Sequence, residues 1–147
     1  MKRFLFIGFI FILIFSACKK NNTNAEIIGS WRLTEVYDKT SSTINLPPQG
    51  SNMDVVLTFL TPNTFAAHTL RNTLADGSYT QSGSEIVFKN FSMTQIAEDQ
   101  WGQSFLSVLY SCSLQPTSPC MPSQLSVEGN VMKIVTTTRY DITLRKL

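Results

Sequence analysis

Along most of the chain, apolar and polar residues alternate with a period of two, as in strands that bury one face. Alternation is clear in three segments: Val55–Phe59, Ile86–Phe88 and Tyr140–Leu144. Further strands are predicted at Ser30–Tyr37, Ser78–Gln81 and Val131–Thr136. Turn-forming pairs separate them: Asp76-Gly77, Ser82-Gly83 and Gly129-Asn130. The pattern predicts a β-meander.

One segment changes to the helical period. Large apolar residues recur at positions i, i+4, i+7 and i+8, as Trp101, Phe105, Val108 and Leu109. This spacing predicts a single helix over about 97–111 with one face packed on the sheet. Either Ser92-x-x-Gln95 or the acidic pair Glu98-Asp99 would suit its N-terminus, where oxygen acceptors and negative charge are favourable.

The start of the chain has the form of a lipoprotein export signal. Lys2 and Arg3 precede an apolar run from Phe4 to Phe15, and small residues lead to Cys18. The run is too short to cross a bilayer, which needs roughly 20 residues. We therefore predict a signal peptide over 1–17, lipid on Cys18 (acyl chains such as palmitate), a flexible tether over 18–26 and one domain over 27–147. A short membrane anchor that is never cleaved is the alternative.

The net charge of the chain disfavours some classes of binding partner. The formal net charge of the whole chain is +2, and Lys2 and Arg3 account for it, so the exported domain is balanced. Balanced charge argues against nucleic acid as a partner, since phosphates demand a basic surface. Membrane attachment is expected through lipid, because two or three acyl chains anchor a protein stably. Lys19 after Cys18, without an acidic run, favours the periplasmic leaflet of the outer membrane of a bacterial cell envelope.

The two remaining cysteines lie close together in Ser111–Pro122, a segment with half of the six prolines and no charged residue. In an exported protein, Cys112 and Cys120 form an even pair in a compartment where disulfides persist. We predict a structural disulfide that closes a short, proline-stiffened loop. Unpaired thiols, or thiols acting as metal ligands, are the alternatives.

The order of motifs resembles the META domain family of bacterial envelope lipoproteins over about residues 27–147. The matching motifs are Gly29-x-Trp31-x-Leu33, Val55-Val56-Leu57-Thr58-Phe59, Gly77-x-Tyr79, Ile86-x-Phe88, Thr94, the helix with Phe105 and Leu109, and the final Tyr-Asp-Ile-Thr-Leu-Arg-Lys. The resemblance implies an α+β, mainly β domain: a strongly bent antiparallel sheet or cracked β-barrel with one packed helix. The family includes heat-inducible envelope proteins and has no established enzymatic activity.

The sequence departs from that family at its cysteines. Family members commonly carry Gly-Cys-Asn before the Gly-x-Tyr motif and another cysteine just before the helix. Here Leu70-Arg71-Asn72 and Ala97-Glu98 stand at those places, with Asn72 displaced by one residue. Any role of those cysteines is therefore not carried over. The Gly-x-Trp opening is also similar to lipocalin-like domains of exported lipoproteins, the second resemblance.

No group of residues predicts catalysis. The only histidine, His68, stands in a strand-like Ala-Ala-His-Thr stretch without a nucleophile motif. Glu98 and Asp99 would point about 100° apart on a helix, which suits a helix N-terminus better than paired acid and base. No metal cluster or nucleotide motif occurs, so we expect no catalytic residue, metal or cofactor. Trp31, Tyr79 and Trp101 are expected in the core or, alternatively, at a ligand site.

Two classes of function remain. The first is a lipid-anchored, non-catalytic module for binding or envelope maintenance under stress, which contacts an envelope protein or a lipid. Its variant is a lipocalin-like binder of a small ligand or an acyl chain. The second is a protease inhibitor that presents the Cys112–Cys120 loop, with Leu114 at the primary specificity position, because a rigid loop loses little entropy on binding.

Overall fold

The computed structural model describes residues 24–50, 54–61, 63–110 and 121–147. Within these residues the chain forms two helices and ten strands: α1 (Asn24–Ile27), β1 (Gly29–Asp38), β2 (Thr43–Asn45), β3 (Val56–Thr61), β4 (Thr64–His68), β5 (Thr73–Ser82), β6 (Glu85–Lys89), β7 (Ser92–Met93), α2 (Gln100–Leu109), β8 (Ser123–Glu128), β9 (Val131–Val135) and β10 (Tyr140–Lys146).

Eight antiparallel strands close into a barrel in the order β1, β3, β4, β5, β6, β8, β9, β10. Strand β10 returns to β1, with Trp31 opposite Lys146 at one end and Asp38 opposite Tyr140 at the other. The mainly β class with one packed helix is confirmed. The barrel is closed rather than cracked, because β1 pairs with β10 from Trp31 to Asp38 while its other edge pairs with β3 and β2.

The barrel interior is the hydrophobic core. A register shift between Leu33 and Glu35 moves the buried face of β1 from Trp31 and Leu33 to Val36 and Asp38. Aromatic rings from β3, β4, β5 and β6 meet inside the barrel. Phe59 lies edge-on to Tyr79, with 5.0 Å between ring centroids, and Phe65 lies edge-on to Phe88 at 5.2 Å. The interior is thus filled by side chains.

Helix α2 packs against β1 and β10. Its buried face includes Trp101, Phe105 and Leu109, as the spacing predicts. It begins at Gln100 rather than near 97, because Asp99 is the N-cap and accepts a hydrogen bond from the backbone N–H of Gly102 at 2.8 Å. The alternative start at Ser92 is wrong, since Ser92 pairs with Ala75 as part of β7.

The predicted turn at Asp76-Gly77 is wrong, since both residues lie inside the ten-residue strand β5. The strand bulges there: Phe65 pairs with Gly77 but Ala67 pairs with Leu74. Asp76 takes a φ of 56°, and a Cβ on Gly77 would lie 2.6 Å from the ring of Phe65. Glycine is therefore required because an aromatic ring covers its backbone, and no chain reversal occurs.

The predicted signal peptide over 1–17 and Cys18 lie outside the described residues, as do Cys112 and Cys120. The last residues assigned to the tether, 24–26, belong to α1. The next residue, Ile27, is buried, and its carbonyl accepts a hydrogen bond from Trp31 Nε1 at 2.7 Å.

Candidate functional site

All three singled-out aromatic residues belong to the buried core, and Trp101 is 7% exposed. Trp31 is fully buried and its indole N–H is bound to α1. Tyr79 is also buried, and its hydroxyl has no hydrogen-bond partner among the described residues. Burial raises the pKa of Tyr79 above its ordinary value, because the phenolate would be poorly solvated. These two side chains act in packing.

Trp101 is different because it borders a cleft. The cleft has a volume of about 200 Å³ and lies between the start of α2 and the segment that follows β2. Its lining residues are Asn45, Leu46, Pro48, Gln100, Trp101 and Ser104. Trp101 is thus a core residue that also lines a surface cleft.

The cleft combines apolar walls with uncommitted amides. Leu46 is 66% exposed although it is a large hydrophobic residue. The side-chain amides of Asn45 and Gln100 have no hydrogen-bond partner among the described residues. The hydroxyl of Ser104, in contrast, donates to the carbonyl of Gln100 at 2.8 Å. None of the described lining residues is charged, so the cleft suits a neutral polar ligand.

Asn72 holds the segment that leads into α2, which forms one side of the cleft. Its Nδ2 donates to the carbonyl of Ile96 and to Glu98 Oε2, both at 2.8 Å. Its Oδ1 accepts from the N–H of Ile96 at 2.9 Å and from Thr94 Oγ1 at 3.1 Å. Asn72 is only 2% exposed, so this β4–β5 loop residue fixes the segment immediately before α2.

Glu98 completes the same connection. Besides Asn72, its Oε2 accepts a hydrogen bond from the buried hydroxyl of Thr69. The carboxylate lies over the first turn of α2, where a Cβ on Gly102 would come within 2.6 Å of it. Asp99 caps the helix and Glu98 joins it to the barrel. The prediction that these neighbouring acids serve the helix start is confirmed for Asp99.

A second surface feature is a groove of about 200 Å³ on the outer face of the sheet. Its walls come from β1, β2, β9 and β10. Ile44 is 63% exposed, Val135 44% and Tyr37 39%. Glu35 and Lys133 also line the groove. The exposed hydrophobic residues around β2 thus form an apolar patch bordered by both signs of charge.

An ion pair fastens β1 to the turn between β9 and β10. Arg139 donates to Asp38 through Nε at 2.9 Å and through Nη2 at 2.6 Å. The guanidinium lowers the pKa of Asp38 to about 2, and the backbone N–H of Thr40 contributes. Beside it, Lys39 forms an ion pair with Asp141 at 2.8 Å. These two ion pairs hold strands together, and Asp141 also lines the groove on the outer face of the sheet.

His68 lies in a strand, as its sequence context predicts: it is the last residue of β4, and its side chain is exposed. Among the described residues no group of three or more histidines, cysteines or acids is placed to hold a metal ion. Nor is any helix in the described parts long and apolar enough to cross a membrane.

The sequence matches no protein-family model and no curated protein. Solved structures do resemble it. An NMR structure of a protein from Burkholderia xenovorans aligns with a TM-score of 0.56 at 17% identity, over 81% of each chain. A crystal structure of a DUF4847 family protein from Bacteroides vulgatus aligns with a TM-score of 0.53 at 13% identity, over 81% of this chain and 92% of that one. At such identities the likeness concerns the fold alone.

Sequence reasoning missed several residues of the site. Asn45, Leu46 and Pro48 follow a three-residue strand, and their only sequence signal is a Leu-Pro-Pro chain break. In the sequence, Asn72 stands out only as a displaced motif residue. Its signal would have been a short polar side chain between two strands, which often bonds to nearby backbone.

Proposed function

We propose that this chain is a lipid-anchored protein of the bacterial cell envelope, with Cys18 as the lipid site and Cys112–Cys120 as a disulfide. Its META-like barrel is a rigid, non-catalytic scaffold that binds another molecule on its outer surface. The observation that supports binding on the outer surface is the packed aromatic interior of the barrel. Because side chains fill the interior, a ligand or partner would bind in the clefts on the outside.

The interior packing also bears on the lipocalin-like alternative. An acyl chain inside the barrel would have to replace rings that contact each other, such as Phe59, Tyr79 and Phe88. Removing a large buried side chain from its packing costs about 3–5 kcal/mol. Binding outside the barrel avoids that cost. The inhibitor hypothesis concerns residues 112–120, which lie outside the described residues, and no described contact favours it.

The first experiment tests the anchor. The full chain is isolated from the membrane fraction of its host and its intact mass is measured without reduction. We expect an acyl mass on Cys18 and a mass about 2 Da below that of the free thiols for the closed disulfide. The Cys18→Ser variant serves as control and should leave the membrane fraction. An unmodified Cys18 in membrane-bound protein would contradict the lipid anchor.

The second experiment tests binding on the outer surface. A photo-crosslinking residue is placed at Ile44, beside the apolar groove, or at the exposed His68 on β4, away from it. In intact cells, Ile44 should give a defined adduct and His68 should not. Equal labelling from both positions, or none from Ile44, would refute a binding surface at this face.

A further inference from the structure

We propose that the cleft beside Trp101 binds a neutral sugar ring. This proposal rests on the proposed function in one respect, because it names a ligand for the outer surface of a binding scaffold. The cleft is formed by Asn45, Leu46 and Pro48 on one side and by Gln100, Trp101 and Ser104 on the other.

The size of the cleft limits the ligand. Its volume of about 200 Å³ is below the roughly 300–1,000 Å³ of sites for drug-sized ligands. It therefore takes one ring or the terminal unit of a longer chain. One side remains open because it is a surface cleft, so further units of a glycan would extend into solvent.

The absence of charge on the described lining residues further limits the kind of ligand. None of the described lining side chains is ionised, and the nearby acids have other roles: Asp99 caps the helix and Glu98 is held by Thr69 and Asn72. An ionic ligand would lose hydration without gaining a counter-charge. The site accordingly selects a neutral molecule.

The distribution of polar groups matches a polyhydroxyl ring. The amides of Asn45 and Gln100 each offer donors and an acceptor, and neither has a partner among the described residues. A sugar hydroxyl can likewise donate and accept. The C–H face of a pyranose is apolar and would pack mainly on Leu46, which is 66% exposed, and on the small part of Trp101, 7%, that remains exposed. A purely apolar ligand would leave both amides without partners when it covers them.

The wall of the cleft formed by α2 is also held in shape. Gln100 and Trp101 begin α2, and the Asn72 contacts to Ile96 and Glu98 fix the segment just before them. A wall that keeps its shape without ligand loses less entropy on binding.

The test is an NMR titration of the full-length, lipidated protein in detergent with glucose. The chain has two tryptophans, so each indole N–H gives its own signal. We expect the Trp101 signal to shift and saturate with a Kd of about 1 mM, the strength expected of a ligand this small. The Trp31 signal should not move, since that indole is buried in the barrel and bound to Ile27.

Two matched variants locate the site. Gln100→Ala removes an amide that lines the cleft, and Gln103→Ala removes an exposed glutamine of the same helix that does not line it. Gln100→Ala should weaken glucose binding about fivefold, the usual effect of one lost neutral hydrogen bond. Gln103→Ala should leave binding unchanged. Both side chains are exposed, so both variants should fold.

Glucuronate tests the charge argument, because it is glucose with one carboxylate. It should bind at least about tenfold more weakly. Equal binding of glucuronate, a shift that does not saturate, or equal effects of the two glutamine variants would each overturn the proposal. The mass of the same preparation reports lipidation independently. Lipidated protein without glucose binding therefore overturns only this inference, and binding by protein without lipid overturns only the anchor.

Discussion

Replacing Asn72 by alanine tests how the barrel holds helix α2. Asn72 is buried, and its amide uses both donors and both lone-pair positions within the loop before the helix. The orientation of the amide is fixed, since Ile96 presents both its N–H and its carbonyl to it. Alanine would remove all four bonds and leave the helix start attached mainly through Thr69 and Glu98.

The magnitude follows from those contacts. Each hydrogen bond contributes about 1 kcal/mol net, so four would give about 4 kcal/mol. Thr94 and Ile96 are exposed residues, so water can replace part of what they lose. We therefore expect Asn72→Ala to lower the free energy of unfolding by about 2–4 kcal/mol. This is a large share of the total of about 5–15 kcal/mol for a domain.

Urea unfolding followed by circular dichroism measures this quantity. Asn90→Ala is the matched control, because Asn90 is exposed and only its backbone carbonyl is engaged, by Ser78. The control should change stability by less than about 0.5 kcal/mol. Asn72→Asp should destabilise as well, because an oxygen would replace the donor that faces Glu98. If Asn72→Ala lowers the free energy of unfolding by less than about 1 kcal/mol, with the same slope against urea concentration as the wild type, these contacts do not hold the helix as argued.

Three other changes test separate parts of the fold by the same unfolding assay. Gly77→Ala should lower the free energy of unfolding by about 1–3 kcal/mol, because the new Cβ would overlap Phe65. In a Phe65→Leu background the same change should cost less, and additive effects of the two substitutions would contradict this explanation. Tyr79→Phe should be neutral or stabilising, since it removes an unpaired buried hydroxyl; a clear loss would reveal a partner. Asp38→Asn should destabilise above about pH 4, and the difference from wild type should vanish as the pH falls towards 2, because the pKa of Asp38 is lowered to about 2 from 3.8 in the folded protein. A pH-independent difference would show that Arg139 does not stabilise the ionised form.

Much of the strand pattern could be predicted from the sequence, because each strand buries one face. Ile86 and Phe88 lie on the buried face of β6, and Ile142 and Leu144 on that of β10. Closure of the barrel could not be predicted this way. It depends on which strands pair at the ends of the sheet, and alternation within a strand does not specify its neighbour.

Two local errors have the same cause, since a tertiary contact overrode a local preference. Asp76-Gly77 is a common turn pair, but the ring of Phe65 on Gly77 keeps both residues in β5 as a bulge. Glu98 suits a first helical turn, but its bonds to Thr69 and Asn72 hold it before the helix. In both cases the partner comes from a distant part of the chain, which local sequence patterns do not show.

The cleft beside Trp101 was harder to predict for the same reason. Its two sides come from the segment after β2 and from the start of α2, more than 50 residues apart. The helical spacing correctly placed Trp101 on the buried face, yet the residues that make it part of a site belong to a loop with no regular pattern. Since Asn72 fixes the chain just before Gln100, the contacts that stabilise the helix start also position one wall of the cleft. If glucose binds in the cleft as proposed, Asn72→Ala should reduce both stability and binding, whereas Gly77→Ala should reduce stability alone.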